Sequence, residues 1–182
     1  GLPNVALDAD RELRKFDRNS DGRLERSEWP ASWPEAQRMD ANGDGNLDLL
    51  SGSYSRQDED MAGLFQVLYG NRDRTFRKPA VLGGSDGKPL ILPAGDGQND
   101  MIDKICTRPF ACDLDGDGKL DLVAGNFRGT FGFFRGEGGG KFSPKATWLE
   151  ANGHAMAVES HGDPFLIDWD RDGDLDLLSG SA

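Results

Sequence analysis

The stretch Asp113-Leu-Asp115-Gly-Asp117-Gly118-Lys-Leu-Asp121-Leu-Val-Ala-Gly125 decides the fold. Carboxylates stand at positions 1, 3, 5 and 9 of a nine-residue loop, with glycine at position 6. So many like charges repel unless a cation lies among them, and the glycine permits the sharp turn that brings them together. Hard oxygen donors in a flexible loop suit Ca²⁺, which accepts about 6–8 irregular contacts. Apolar alternation on either side predicts strand–loop–strand, with Asp121 closing the site from the start of the outgoing strand.

Moving outward, the same arrangement recurs three times: from Asp17, from Asp40 and from Asp168. Each repeat has oxygen donors at positions 1, 3 and 5 and glycine at position 6. These four loops hold sixteen of the 32 acidic residues in the 182-residue chain, whose formal charge is −11. A solvated acidic face has no reason to keep fixed spacing, so the pattern points to calcium. Four bound ions would reduce the charge to −3. The first loop runs Asp17, Asn19, Asp21, Gly22, Arg23 (through its carbonyl), Glu25 and, at position 12, Glu28. That is a complete EF-hand loop, including the Glu that closes the site with both oxygens. Leu13 and Phe16 fall on one face of a short entering helix spanning roughly 8–16, whereas Pro30 and Pro34 cut the exit helix short.

The third and fourth loops have Asp at position 9 and no acid at position 12. Asp168-Trp-Asp170-Arg-Asp172-Gly-Asp174-Leu-Asp176 continues as Leu-Leu-Ser-Gly180, parallel to the stretch after Asp121. These segments resemble the FG-GAP (VCBS) repeats of integrin-type β-propellers. The resemblance implies ligands at positions 1, 3, 5 and 9 plus the position 7 carbonyl. Those are Asp113, Asp115, Asp117, Lys119 (backbone) and Asp121, then Asp168, Asp170, Asp172, Asp174 (backbone) and Asp176. The second loop fits the same set with Asp40, Asn42, Asp44, Asn46 (backbone) and Asp48. Its position 12 is Ser51, yet it starts 23 residues after the first, and Leu24 and Leu47 occupy the positions that paired EF-hands join. It reads as a propeller loop whose incoming strand is replaced by the EF-hand segment, with Glu35–Met39 helical.

The similarity extends past the loops, so a repeat fold takes precedence. Gly63-Leu-Phe-Gln-Val-Leu-Tyr-Gly70 matches Gly129-Thr-Phe-Gly-Phe-Phe-Arg-Gly136, and Phe76…Pro79 matches Phe142-Ser-Pro144. Loop starts are 73 and then 55 residues apart, the excess falling in two polar, Gly-rich insertions near Ser53–Met61 and between Phe76 and Asp113. The alternations Phe131/Phe133 and Leu64/Gln66/Leu68 mark strands packed on neighbouring blades. Pro109-Phe110-Ala-Cys112 and Pro164-Phe165-Leu-Ile167 are the incoming strands of the last two loops. The expected fold is mainly β: a partial β-propeller, two blades plus the start of a third, with a small helical EF-hand segment at the N-terminus. The EF-hand-like segment spans 1–39 and the repeats 40–182, divided at about 40–105, 106–160 and an incomplete 161–182. Such a chain is part of a longer propeller or shares its edge strands with other chains.

The balance of 32 acidic to 21 basic residues argues against a nucleic-acid interface, and no apolar run reaches the roughly 20 residues of a membrane span. Cys112 aligns with Ile167 as apolar filler, and Cys106 aligns with His161 in a loop. A disulfide between the two cysteines would require a sharp reversal at Arg108-Pro109. His154 and His161 adjoin glycines as surface turns, and the tryptophans at 29, 33, 148 and 169 read as packing residues. No nucleophile elbow or phosphate loop is present. The expectation is a non-enzymatic, calcium-binding structural or interaction module, extracellular or periplasmic, where calcium is abundant. Its partners would be other protein chains, the remainder of the propeller, or an extracellular protein or glycan. The alternative is a portion of a larger secreted polysaccharide-active hydrolase or lyase, with Asp58, Glu59, Asp60, Asp96 and Asp100 as candidate carboxylates.

Overall fold

Alternating apolar residues after each acidic loop form a strand, and the next Gly-flanked apolar run returns antiparallel to it. In the computed structural model, which describes residues 40–54, 63–73, 75–93 and 100–180, this rule builds three successive units. The first contains β1 (Leu49–Gly52), β2 (Phe65–Leu68) and β3 (Ala80–Val81), an antiparallel sheet in that order. A short helix, α1 (Asp100–Lys104), leads to the second unit. There β4 (Arg108–Cys112), β5 (Asp121–Gly125) and β6 (Phe131–Phe134) are joined by β9 (Thr147–Trp148) in a four-stranded antiparallel meander. Between its third and fourth strands lies the β7–β8 hairpin (Gly136–Gly138, Lys141–Phe142). A second small hairpin, β10 (Glu150–Ala151) with β11 (His154–Ala155), precedes the third unit, where β12 (Asp163–Ile167) pairs with β13 (Asp176–Gly180). The described residues are therefore mainly β, as expected, but they do not close a propeller. The EF-hand loop, its entering helix, the helical reading of 35–39 and the carboxylates of 58–60 and 96 lie outside the described residues.

The expected strand–loop–strand pattern is present around the third and fourth loops. Cys112 pairs with Asp121 and Ile167 pairs with Asp176, so each loop bridges the end of one strand and the start of the next. Pro109 and Pro164 are tolerated because each sits in the first strand of its sheet, which has only one described neighbour.

Two apolar layers hold the units together. The first joins units one and two through Phe65, Val67, Leu122, Ala124, Phe134 and Phe142. The second joins units two and three through Cys112, Val123, Phe131 and Leu166. Strand β5 feeds both layers, Leu122 and Ala124 pointing to one and Val123 to the other, because successive side chains alternate across a sheet. Phe131 and Phe133 face the following unit, as predicted. In the first unit the equivalent residues are Phe65 and Val67, both fully buried, while Gln66 is only half-buried. The expected face Leu64/Gln66/Leu68 was thus one residue out of register, a shift that exchanges the faces of a strand. A second correction concerns the insertion after Phe76. Although rich in glycine, it contributes Leu82, Leu90 and Leu92, each at most 1% exposed, to the first layer.

Units also meet through backbone. Thr107 N–H donates to Ser53 O (3.0 Å), and Gly162 N–H donates to Asn126 O (2.9 Å) at the equivalent place. These contacts demand glycine at the ends of β1 and β5: a Cβ on Gly52 would lie 1.6 Å from Thr107 O, and one on Gly125 1.9 Å from Gly162 O. Cys106 and His161, aligned by sequence, share a left-handed backbone at φ 55° and 54°. Both cysteines are buried, and no disulfide joins them. His154 lies in β11 rather than in a loop, because Asn152-Gly153 makes the tight turn of its hairpin. Trp148 packs against the first layer, but Trp169 is 71% exposed, contrary to the packing expectation. Its counterpart Leu114 packs in the layer between units two and three, whereas no described unit follows Trp169.

Candidate metal centres

Within each described loop the side chains of positions 1, 3 and 5 organise the turn by accepting backbone N–H groups. Position 1 takes the N–H of position 6: Gly45 on Asp40 (3.0 Å), Gly118 on Asp113 (2.9 Å), Gly173 on Asp168 (3.2 Å). Position 3 takes the N–H of position 5: Asp44 on Asn42 (2.9 Å), Asp117 on Asp115 and Asp172 on Asp170 (both 3.2 Å). Position 5 takes the N–H of position 7 at 2.9–3.0 Å in all three. Positions 4 and 6 are left-handed, as Gly43/Gly45, Gly116/Gly118 and Arg171/Gly173 show. Short polar side chains and glycine form this nest without help from the rest of the fold.

Position 9 does a different job. Asp121 is fully buried; its Oδ1 accepts Gly136 N–H at 2.6 Å from the start of β7, and its Oδ2 accepts Leu114 N–H at 2.9 Å from the loop. Asp48 repeats this with Gly70 N–H (2.9 Å) and Asn42 N–H (3.3 Å). Gly70 and Gly136 pass so close to the loop that a Cβ would lie 2.1 Å from Leu47 O and 2.0 Å from Leu120 O. Asp176 Oδ2 accepts Trp169 N–H at 2.9 Å, the loop half of the same clamp.

The carboxylates gather in two of the three described loops. Asp113, Asp115 and Asp117 bring one oxygen each within 4.8 Å of one another, and so do Asp168, Asp170 and Asp176. Two oxygens on one Ca²⁺ stand at most about 5 Å apart, so both trios have the right size. In both, position 1 also keeps a buried oxygen, Oδ1 of Asp113 and of Asp168, with no hydrogen-bond partner. A buried carboxylate oxygen without a donor is costly, and a cation would satisfy it. The donor set therefore fits the metal. In the second loop both Asp40 oxygens accept backbone N–H groups, from Asp44 and Gly45. Asp40, Asp44 and Asp48 do not converge as the other trios do. Asp172 and Asp174 lie in the fourth loop outside its trio, and Asp121 serves as the clamp of the third. Asp17, Asn19, Asp21, Arg23 and Glu28 fall outside the described residues.

Burial pushes the carboxyls of Asp48 and Asp121 above their ordinary value, opposed by the N–H donors of Gly70 and Gly136. Asp117 is held low, chiefly by the Lys119 side chain. For Asp44 burial is the largest influence and acts upward, but donors from Asn46 and Asn42 and the charge of Arg77 outweigh it, so its carboxyl is lowered. Sequence reasoning missed Arg77 and Arg135, which reach Asp44 and the third loop respectively. The signal was available for Arg135, which stands immediately before the glycine that clamps Asp121.

Comparison with known protein families agrees with this geometry. The FG-GAP-like repeat model matches residues 113–179, from the first ligand of the third loop almost to the end of β13. The EF-hand model matches residues 7–29. The chain thus carries an FG-GAP-like repeat and an N-terminal EF hand, the two families its loops resemble, and with them the signatures of a calcium-binding repeat module. No curated protein and no solved structure matches it.

Proposed function

We propose that this chain is a calcium-binding structural or interaction module of a secreted β-propeller protein, in which the ions hold together the hairpins of each repeat unit. The observation that carries this reading is the pair of buried, unpartnered oxygens on Asp113 and Asp168, each among converging carboxylates where two strands meet. Asp113, Asp115 and Asp117, with the Lys119 carbonyl, would hold one ion; Asp168, Asp170, Asp172 and Asp176, with the Asp174 carbonyl, would hold another. Bound Ca²⁺ supplies the positive charge that cancels carboxylate repulsion, while Asp121 and Asp176 fix the loop to its outgoing strand. The module is non-enzymatic in this reading, and it acts outside the cytoplasm, where millimolar calcium keeps such loops filled. Its partners are further repeat units or an extracellular protein or glycan. Exposed aromatic side chains, Trp169 at 71% and Tyr54 at 68%, give it apolar contact surface.

Calorimetric titration with CaCl₂ tests the reading. The wild-type chain should bind calcium, Asp113→Asn and Asp168→Asn should each remove one binding event, and the double variant two. Unchanged stoichiometry in the double variant would refute it.

A further inference from the structure

Three carboxylates held together without metal need some neutralising charge, and the third loop carries its own. Arg135, the residue between β6 and β7, places Nε 2.8 Å from Asp115 Oδ2 and Nη2 3.2 Å from Asp117 Oδ2. Lys119 Nζ lies 3.0 Å from that same Asp117 oxygen. Both carboxylates belong to the converging trio, so one guanidinium bridges two of the loop's metal donors. The loops differ in this respect. At the second, Arg77 reaches only Asp44, at 3.5 Å. Among the described residues, no ion pair reaches the fourth loop. The equivalent of Arg135 in the first unit is Tyr69, which carries no positive charge.

We infer that Arg135 is a built-in counter-cation of the third loop: it steadies Asp115 and Asp117 in the metal-free protein and competes with the incoming ion, thereby setting the loop's calcium affinity. The inference rests on the calcium reading above. Its physical basis is the short planar fork of guanidinium and carboxylates, which a lysine cannot reproduce at both acceptors. Calcium must either displace the fork or share oxygens with it, and the positive charge of the guanidinium opposes the ion in both cases. Arg135 is 58% exposed, so solvent screens the competition. Removing the charge should raise the affinity about 1.4- to fivefold, the range of measured exposed pairs.

Amide resonances separate the loops, because Gly118 N–H rests on Asp113 and Gly173 N–H on Asp168. Calcium titrations of ¹⁵N-labelled wild-type, Arg135→Gln and Arg135→Lys chains should be followed at these two glycines. In Arg135→Gln the Gly118 midpoint should fall about 1.4- to fivefold while the Gly173 midpoint stays put, and Arg135→Lys should lie between. The metal-free Arg135→Gln chain should also melt below the wild type. A Gly118 midpoint unmoved by Arg135→Gln, or a shift common to both glycines, would overturn the role of Arg135 and leave the calcium reading intact. If neither glycine of the wild type responds to calcium, the calcium reading itself fails, and this inference with it.

Discussion

Asp113 and Asp121 are both aspartates of one loop, yet they face opposite demands. Asp113 keeps a buried oxygen without a partner, so its charge is a liability until a cation arrives. Asp113→Asn removes the charge and leaves the turn's acceptor in place. The variant should melt within about 0.5 kcal/mol of wild type in chelator and lose the third loop's stabilisation in calcium, measured by denaturant unfolding in both conditions. Asp121 instead binds the start of β7 to the loop through the backbone N–H groups of Gly136, Leu114 and Asp115. Asp121→Ala breaks charge-assisted bonds in a buried place and should cost about 2–4 kcal/mol in chelator and in calcium alike. At position 4 of the fourth loop Arg171 adopts φ 66°, where the two other described loops have glycine. A left-handed non-glycine residue costs roughly 1–2 kcal/mol, part of which the extra freedom of glycine in the unfolded chain cancels. Arg171→Gly should therefore stabilise the protein by about 0.5–1 kcal/mol in chelator. These roles were only partly legible in the sequence. Spacing revealed each of the three described loops, because Asx-type turns and glycine act locally. In the third loop it did not separate the clamp Asp121 from the converging trio, since that distinction depends on where a strand passes some fifteen residues later.

At the scale of the element, the strand ends show how repetition sets composition. Gly52, Gly125 and Gly180 close β1, β5 and β13, one in each unit. The first two lie against the backbone of the following unit, whereas a Cβ on Gly180 would meet nothing within 4 Å. Gly125→Ala should force units two and three apart and cost about 3 kcal/mol or more, while Gly180→Ala at the same repeat position should stay within about 0.5 kcal/mol. Chemical unfolding of the two variants compares them directly; equal effects would mean that this glycine is not a packing requirement. The strands themselves were legible from Gly-flanked apolar runs. Their facing was not always so: in Leu64–Leu68 four of five residues are apolar, so alternation alone does not show which pair is buried. The burial of Leu82, Leu90 and Leu92 was hidden for another reason. Glycines around them signal turns, and only the approach of β2 and β6 reveals the gap these leucines fill.

Across the molecule, both apolar layers among the described residues are shared between neighbouring units, as in other repeat folds. Anything that loosens one loop is therefore felt in the adjoining layer. The third loop joins β4 to β5, and β5 feeds both layers, so calcium there should protect the second unit and its contacts on either side. Mass action sets the size of the effect: an ion at a hundred times its Kd adds about 2.7 kcal/mol per site to a fold that binds it only when native. For a chain of this length each such site should raise the melting temperature by roughly 5–10 °C. Calorimetry in excess Ca²⁺ and in EGTA should show that rise, and hydrogen exchange should locate it. Amides of β4, β5, β12 and β13 should gain protection together, since Cys112 pairs with Asp121 and Ile167 with Asp176 at the mouths of the loops. Protection confined to the loop residues, with the strands exchanging at the same rate with and without calcium, would mean that the ions decorate the sheets rather than join them.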